Sequence, residues 1–313
     1  LNVSERKTQK LIRDKKINTI LHLAALTCVR ESIKNKLKSE IDEINNKYSR
    51  VPSLVVVLVG KNPASISYVK AKEKACQLVG IECHIERLDE KISENEIISY
   101  IESLNENDQI DGMIVQLPLP KNLDEEKIVQ TISPLKDVDG LCNENLGLLA
   151  SGSPRFVPAT PLGVQRMISE IDFKTQGSRI VIIGRSKLVG IPLALLLSSK
   201  TTLGNATVTI CHSRSEDIKK YTLDADIVVV ATGFPSTLTK DMVKKNSIVI
   251  DVGVNRIEDN TKKNGFRLIG DSDFDDIIDI VSKITPVPGG VGPMTIAMLL
   301  ENVTKAFYLG VKE

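Results

Sequence analysis

The segment Arg179–Leu197, RIVIIGRSKLVGIPLALLL, constrains the fold more than any other part of the chain. Ile180–Ile183 is an apolar, β-branched run, too short for a helix and bounded by Gly184, so it reads as a buried strand. Gly184–Gly190 is a polar, glycine-bearing turn, and Pro192 opens a Leu-rich stretch suited to a first helical turn. Strand, tight turn and helix start together make a phosphate site, because unpaired helix-start N–H groups point at the anion. The turn departs from the usual dinucleotide fingerprint: Ser186 stands where a second glycine is common, and Gly190 comes six residues after Gly184. By itself it fits an ordinary strand-to-helix turn nearly as well.

The next strand sharpens the reading. Ala206–Cys211 lies at the spacing of the second strand of a βαβ unit and ends in His212-Ser213-Arg214. NAD-binding folds usually carry Asp or Glu there for the ribose hydroxyls. A hydroxyl, an imidazole and a guanidinium, with Arg185 in the preceding turn, instead suit a ribose 2′-phosphate. The segment argues for NADP over NAD, although Arg214 alone is also readable as one solvated charge.

At 313 residues the chain suits two α/β domains. With 41 basic and 40 acidic residues, nothing indicates a nucleic-acid partner. The five cysteines show no metal-ligand spacing and read as reduced thiols. No run is long enough to span a membrane; Ile17–Val29 is too short and contains His22. Residues 1–16 are rich in Lys and Arg, which fits an exposed N-terminus of a cytoplasmic protein or the remnant of an organelle-targeting segment.

Along the chain, Val29–Tyr48 has a helical apolar period and Leu54–Val59 reads as a buried strand closed by Gly60. Ala64–Gly80 reads as a helix, Ile81–Leu88 as a strand, and Ser93 as the N-cap of another helix with Glu96 three residues on. Ile110–Val115 is a third strand, running into Gln116-Leu117-Pro118-Leu119-Pro120. The alternation predicts mainly parallel sheets, with ligands beyond the carboxyl ends of the strands. Asn143–Pro158 reads as the crossing between domains, and Thr160–Ile171 as a helix leading into the second. There Ile227–Ala231 is a strand closed by Thr232-Gly233, and Ser247–Val252 one closed by Gly253. A glycine–proline loop, Thr285–Thr295, precedes a final helix, Ile296–Leu309.

Ser65, Tyr68 and Lys72 share one helix face at i, i+3 and i+7. A lysine one turn from a tyrosine near a strand end could serve as a general acid/base. Lys70, Lys72 and Lys74 alternate, however, and spacing alone favours an ordinary solvated lysine.

Taken together, the motifs resemble those of the bifunctional methylenetetrahydrofolate dehydrogenase/methenyltetrahydrofolate cyclohydrolase family, from about Thr27 to Phe307. The resemblance rests on Ala64-Ser65…Tyr68…Lys72, Val115–Pro120, Lys136–Gly140, Thr160–Gly163, Gly184–Pro192, Asp251–Gly253 and Thr285–Thr295, in family order. It implies NADP-linked oxidation of methylenetetrahydrofolate to the methenyl form and hydrolysis to formyltetrahydrofolate, within one-carbon metabolism that feeds purine biosynthesis. It implies Lys72 as the proton-shuttling group, Gln116 positioning it, Tyr68 packing against the pterin, and Asp139 accepting hydrogen bonds from the pterin. Ser65, Val115, Leu117, Pro288, Gly289, Gly290 and Val291 would line the folate side. Thr160, Gly184, Arg185, Ser186, Gly190, Ser213, Arg214, Thr232, Gly233, Gly253, Val254 and Thr295 would hold NADP, and no metal is implied.

The implied architecture is α/β: residues 1–157 with a C-terminal helix 286–313 as the catalytic domain, 158–285 as a Rossmann-like domain, and a cleft between them. A homodimer acting on a folate, with or without a polyglutamate tail, is expected. Two departures stand out: Ala159 occupies a position where many members have Cys, and Ile20–Leu23 replaces a usual Leu-Asp-Gly turn. A dehydrogenase lacking the hydrolase step would be expected to have lost the lysine. A silent folate- or nucleotide-binding protein fits poorly with Lys72, Gln116 and Asp139 all in place.

Overall fold

The computed structural model describes residues 21–262 and 265–311. The expectations attached to residues 1–16 and to the side chain of Cys28 lie outside what it describes. The chain forms two compact units, Glu31–Gly163 with Met294–Glu313, and Val164–Pro293. The sequence reading sets the limits at 157/158 and 285/286; here residues 158–163 group with the first unit and 286–293 with the second.

From Glu31 on, helix α1 (Leu21–Tyr48) belongs to the first unit and buries Ile33, Leu37, Ile41 and Ile44, one stripe at helical spacing. Of the Ile20–Leu23 departure, Leu21–Leu23 lie in this helix. Strand β1 (Ser53–Val59) is buried along its whole length, as an unbroken apolar run in a parallel sheet must be. Helix α2 (Pro63–Val79) leads to β2 (Glu82–Leu88), and helix α3 (Glu94–Asn105) to β3 (Gly112–Val115). The strands pair in parallel in the order β2-β1-β3. Both helix starts follow from sequence. Ser93 and Glu96 close a reciprocal capping box on α3. On α2, Asn62 Oδ1 accepts from the N–H groups of Ala64 (2.9 Å) and Ser65 (3.3 Å), with Pro63 in the first turn. Gly80 ends α2 in the left-handed region, φ 88°.

Two short helices follow, α4 (Glu125–Gln130) and α5 (Asn143–Ala150). The latter corrects the reading of Asn143–Pro158 as a crossing between domains. Cys142 caps its start, Asn145 and Leu149 are buried on its inner side, and the Gly/Ser/Pro signals are concentrated after it, in residues 151–154. Val55, Val57, Ile97, Ile101, Met113 and Ile128 form the core of this unit.

Helix α6 (Ala159–Glu170) leads to the second sheet. It is built from β4 (Arg179–Ile183), helix α7 (Gly190–Ser198), β5 (Thr207–Cys211), helix α8 (Lys219–Thr222), β6 (Ile227–Val230) and β7 (Ile248–Asp251). A two-stranded antiparallel ribbon, β8 (Asn255–Glu258) and β9 (Phe266–Ile269), precedes α9 (Phe274–Ile277) and β10 (Lys283–Ile284). The order β10-β7-β6-β4-β5 is parallel throughout. The loops after β4, β5, β6 and β7 therefore share one edge, where α/β sheets bind ligands. Helix α10 (Val291–Gly310) begins inside the glycine–proline loop and not at Ile296, because Pro293 sits in its first turn, where no intrahelical N–H is lost.

Among the described residues no helix is long and apolar enough to cross a membrane, and no cluster of His, Cys, Asp or Glu could hold a metal. Cys76, Cys83, Cys142 and Cys211 are free thiols.

Candidate active site

In the first unit, α2 carries Ser65, Tyr68 and Lys72, and β3 ends at Val115 beside it. Lys72 Nζ donates to Gln116 Oε1 at 3.1 Å. The Gln116 amide is turned that way because its Nε2 donates to Leu117 O at 2.7 Å. Lys70 and Lys74 are exposed while Lys72 is half-buried, so packing separates three lysines that spacing alone could not. Ser65 is buried with no partner for its Oγ, and Tyr68 stays 41% exposed with its phenol pushed up by desolvation.

Asp139 joins this group through the sheet. Met113 N–H donates to Lys136 O at 2.7 Å and Met113 pairs with Asp137, so Lys136–Gly140 runs along β3. Gly112 is required there, since a Cβ would stand 2.7 Å from Val138 Cγ1. Asn302 Nδ2 on α10 holds the segment by donating to the carbonyls of Val138 (2.8 Å) and Val157 (2.9 Å). Asp139 is half-buried. Desolvation raises its carboxyl above the usual range, the nearby Lys72 charge opposes this, and Asp137 adds to it. Thr160 and Thr295, both expected at the cofactor, lie in this unit with hydroxyls 3.1 Å apart.

In the second unit the turn after β4 is a backbone-on-backbone arrangement. A Cβ on Gly184 would stand 2.3 Å from Ala231 O, and one on Gly190 2.1 Å from Gly184 O. No side chain caps α7, which leaves its start suited to an anion. Arg185 and Ser186 are exposed beside it, and Ser186 Oγ accepts from Val189 N–H at 3.1 Å. Beyond β5, His212 Nδ1 accepts from Arg214 N–H at 3.1 Å, and Ser213 and Arg214 are exposed. These residues fit a phosphorylated dinucleotide: an uncapped helix start, two glycines that admit close approach, and guanidinium groups at hand. Val254, following Gly253, is 43% exposed. Pro288–Val291 belongs to this unit as well; the Val287–Pro288 peptide is cis, as is Leu117–Pro118 in the first.

Two carboxylates here are buried, Asp251 and Asp271; the sequence marks the first within a family motif and the second after a short strand, but neither receives a role from it. Their signal was present: each stands next to a glycine or one residue from it at a strand end, Asp251-Val252-Gly253 and Gly270-Asp271.

Residues 26–139 match the family model of the tetrahydrofolate dehydrogenase/cyclohydrolase catalytic domain, and residues 158–309 that of its NAD(P)-binding domain. The bifunctional protein FolD of Campylobacter hominis is 49% identical over 278 residues, 89% of this chain and 94% of that protein. The crystal structure of the bifunctional FolD enzyme from Campylobacter jejuni superposes with a TM-score of 0.83 at 43% identity, covering 90% of this chain and 96% of that one. That of the Trypanosoma brucei dehydrogenase-cyclohydrolase, complexed with NADP and an inhibitor, gives 0.86 at 34% identity, covering 91% and 97%.

Proposed function

This chain belongs to the tetrahydrofolate dehydrogenase/cyclohydrolase family, and from that premise we propose how its residues divide two reactions. The enzyme oxidises 5,10-methylenetetrahydrofolate to the 5,10-methenyl cation, with NADP as hydride acceptor, and hydrolyses that cation to 10-formyltetrahydrofolate. The uncapped start of α7, with Arg185, Ser213 and Arg214, holds the phosphates of NADP; Thr232, Gly233, Gly253 and Val254 border the dinucleotide.

Asp139 accepts hydrogen bonds from the pterin and Tyr68 lies against its ring. Oxidation needs orientation above all, because the bridging carbon loses only a hydride. Hydrolysis needs proton transfer. The Lys72 amine takes a proton from the water that adds to the methenyl carbon and delivers it to N5 as the C–N5 bond opens, while the hydroxyl proton of the adduct leaves to solvent as the C=O forms, so the formyl group stays on N10. Gln116 fixes the amine through its carbonyl oxygen. The observation that carries this assignment is the half-buried Lys72, bonded to Gln116 between two exposed lysines.

The test follows reduced nucleotide and methenyl product separately with purified protein. Reduced NADP with little accumulated methenyl product supports both steps, and accumulation of the cation would overturn the role of Lys72. The family resemblance supports two finer expectations, a homodimer and acceptance of polyglutamylated folate, checked by sedimentation and by KM for each folate form.

A further inference from the structure

The amide N–H groups of Thr232 and Gly233 are not open to a nucleotide phosphate. Both donate inward to Oδ2 of Asp271, at 2.6 and 2.9 Å, and Thr232 Oγ1 donates to the same oxygen at 3.0 Å. The other oxygen, Oδ1, accepts from Asn255 Nδ2 at 2.8 Å. Asp271 is fully buried, and among the described residues no basic side chain forms an ion pair with it. Its oxygens are held by neutral donors, three from the loop after β6 and one from Asn255, which follows the loop after β7. Backbone contacts extend the grip: Asp271 O accepts from Thr237 N–H at 2.7 Å.

The loop after β7 rests on the same carboxylate. A Cβ on Gly253 would stand 2.0 Å from Asp271 Oδ1, so the backbone itself packs against the carboxyl group. Asp251 seats Asp271 in turn: its Oδ1 accepts from the N–H groups of Gly253 (2.9 Å) and Asp271 (3.0 Å), and its Oδ2 from Ser272 N–H (2.8 Å) and Ser272 Oγ. One carboxylate thus fastens together two loops that leave adjacent parallel strands at their carboxyl ends. The outward side is open, since Gly233 adopts φ 74° with nothing within 4 Å of the place a Cβ would occupy.

We propose that Asp271 is the positioning residue of the dinucleotide site, fixing the height and spacing of the loops 232–234 and 253–255 without itself touching NADP. The proposal rests on the reading that those loops border the dinucleotide. Positioning at this level reads out as cofactor KM, because the loops carry no reacting group.

The experiment compares the full-length enzyme with Asp271→Asn, which keeps an acceptor for Thr232 and Gly233, Asp271→Ala, which keeps none, and Asn255→Ala, which removes one donor from the edge of the network. Expected KM increases for NADP⁺ are about tenfold or more for Asp271→Ala, less for Asp271→Asn and about threefold for Asn255→Ala. Hydrolysis of the methenyl substrate, which uses no nucleotide, stays within about twofold on the same samples. Variants that melt earlier but keep the wild-type KM for NADP⁺ would reduce Asp271 to a structural residue and overturn the proposal. If Asp271→Ala and Asp271→Asn do not fold, Asn255→Ala decides by the same criterion. Hydrogen exchange on the wild-type enzyme separates the two levels. NADP⁺ must protect 232–234 and 253–255, and absence of protection overturns the loop reading itself, whatever the variants do.

Discussion

Lys72 Nζ and Gln116 Oε1 are 3.1 Å apart although 44 positions separate the residues in the chain. The contact arises because α2 leaves the carboxyl end of β1 while Gln116 follows the carboxyl end of β3, the strand paired with β1. A parallel sheet brings those two ends together. Leu117 O then sets the amide's orientation.

Lys72→Ala should lose hydrolysis of the methenyl substrate by about 10²–10⁴-fold, the usual worth of a positioned proton-transfer group. Lys70→Ala and Lys74→Ala, which truncate exposed neighbours, should hydrolyse it normally. Decay of methenyl absorbance in the three variants, with circular dichroism as a fold control, decides. Equal loss in all three would mean that charge on the helix matters and not the one amine.

Gln116→Glu tests the same pair from the other side. A carboxylate at Oε1 favours the charged form of the lysine, so the base limb of the hydrolysis pH–rate profile should move to higher pH and the rate at neutral pH should fall. Gln116→Ala should lower the rate without that displacement. A profile unchanged in Gln116→Glu would show that Gln116 does not address the reacting amine.

Arg214→Ala should raise KM for NADP⁺ by about 10–100-fold, the equivalent of one charge-assisted contact to phosphate, and leave KM for NAD⁺ nearly unchanged. Both guanidinium and hydroxyl are exposed at the end of β5. Initial rates with the two cofactors suffice, and parallel increases in both KM values would remove the 2′-phosphate from the argument.

Much of the fold was legible because its determinants are local. Leu54–Val59 and Ile180–Ile183 are uninterrupted apolar runs that only a doubly covered parallel strand accommodates, and Ser93 with Glu96 announces a helix start. The site was legible only in part. Periodicity could not tell Lys72 from Lys70 and Lys74, since the deciding contact comes from a residue on another strand. Asn143–Ala150 was lost to its Gly and Ser neighbours, because an eight-residue helix offers too few turns for a period to emerge. The two aspartates under the nucleotide loops stand beside glycines at strand ends, but their role was not legible for a related reason: which backbone amides a carboxylate accepts from is set by other strands and loops.

Asn62→Ala should cost about 1 kcal/mol, since its Oδ1 closes two orphan N–H groups at the start of the helix that carries Ser65, Tyr68 and Lys72. Fraying there disturbs positioning, so hydrolysis should slow several-fold while KM for NADP⁺ holds. Urea midpoints and the two assays check this; a stability loss with both activities intact would confine the cap to folding.

Asp139→Asn should abolish turnover of methylenetetrahydrofolate and yet stabilise the protein at pH 8. Desolvation raises the Asp139 carboxyl above its unfolded value of 3.8, against the pull of Lys72 and with a push from Asp137. A carboxyl raised on folding binds its proton more tightly in the native state. It therefore contributes stability that is complete below pH 3.8 and lost as pH rises through the raised native value. Above the raised native value the wild-type enzyme has lost that contribution, and the neutral amide has no charge to desolvate. The variant's urea midpoint should exceed the wild type's at pH 8, and the gap should narrow on acidification towards pH 4. A variant less stable than wild type at pH 8 would mean that hydrogen bonds to the carboxylate outweigh its desolvation. Stability given up on ionisation to keep a carboxylate facing the substrate is the trade expected of a binding group.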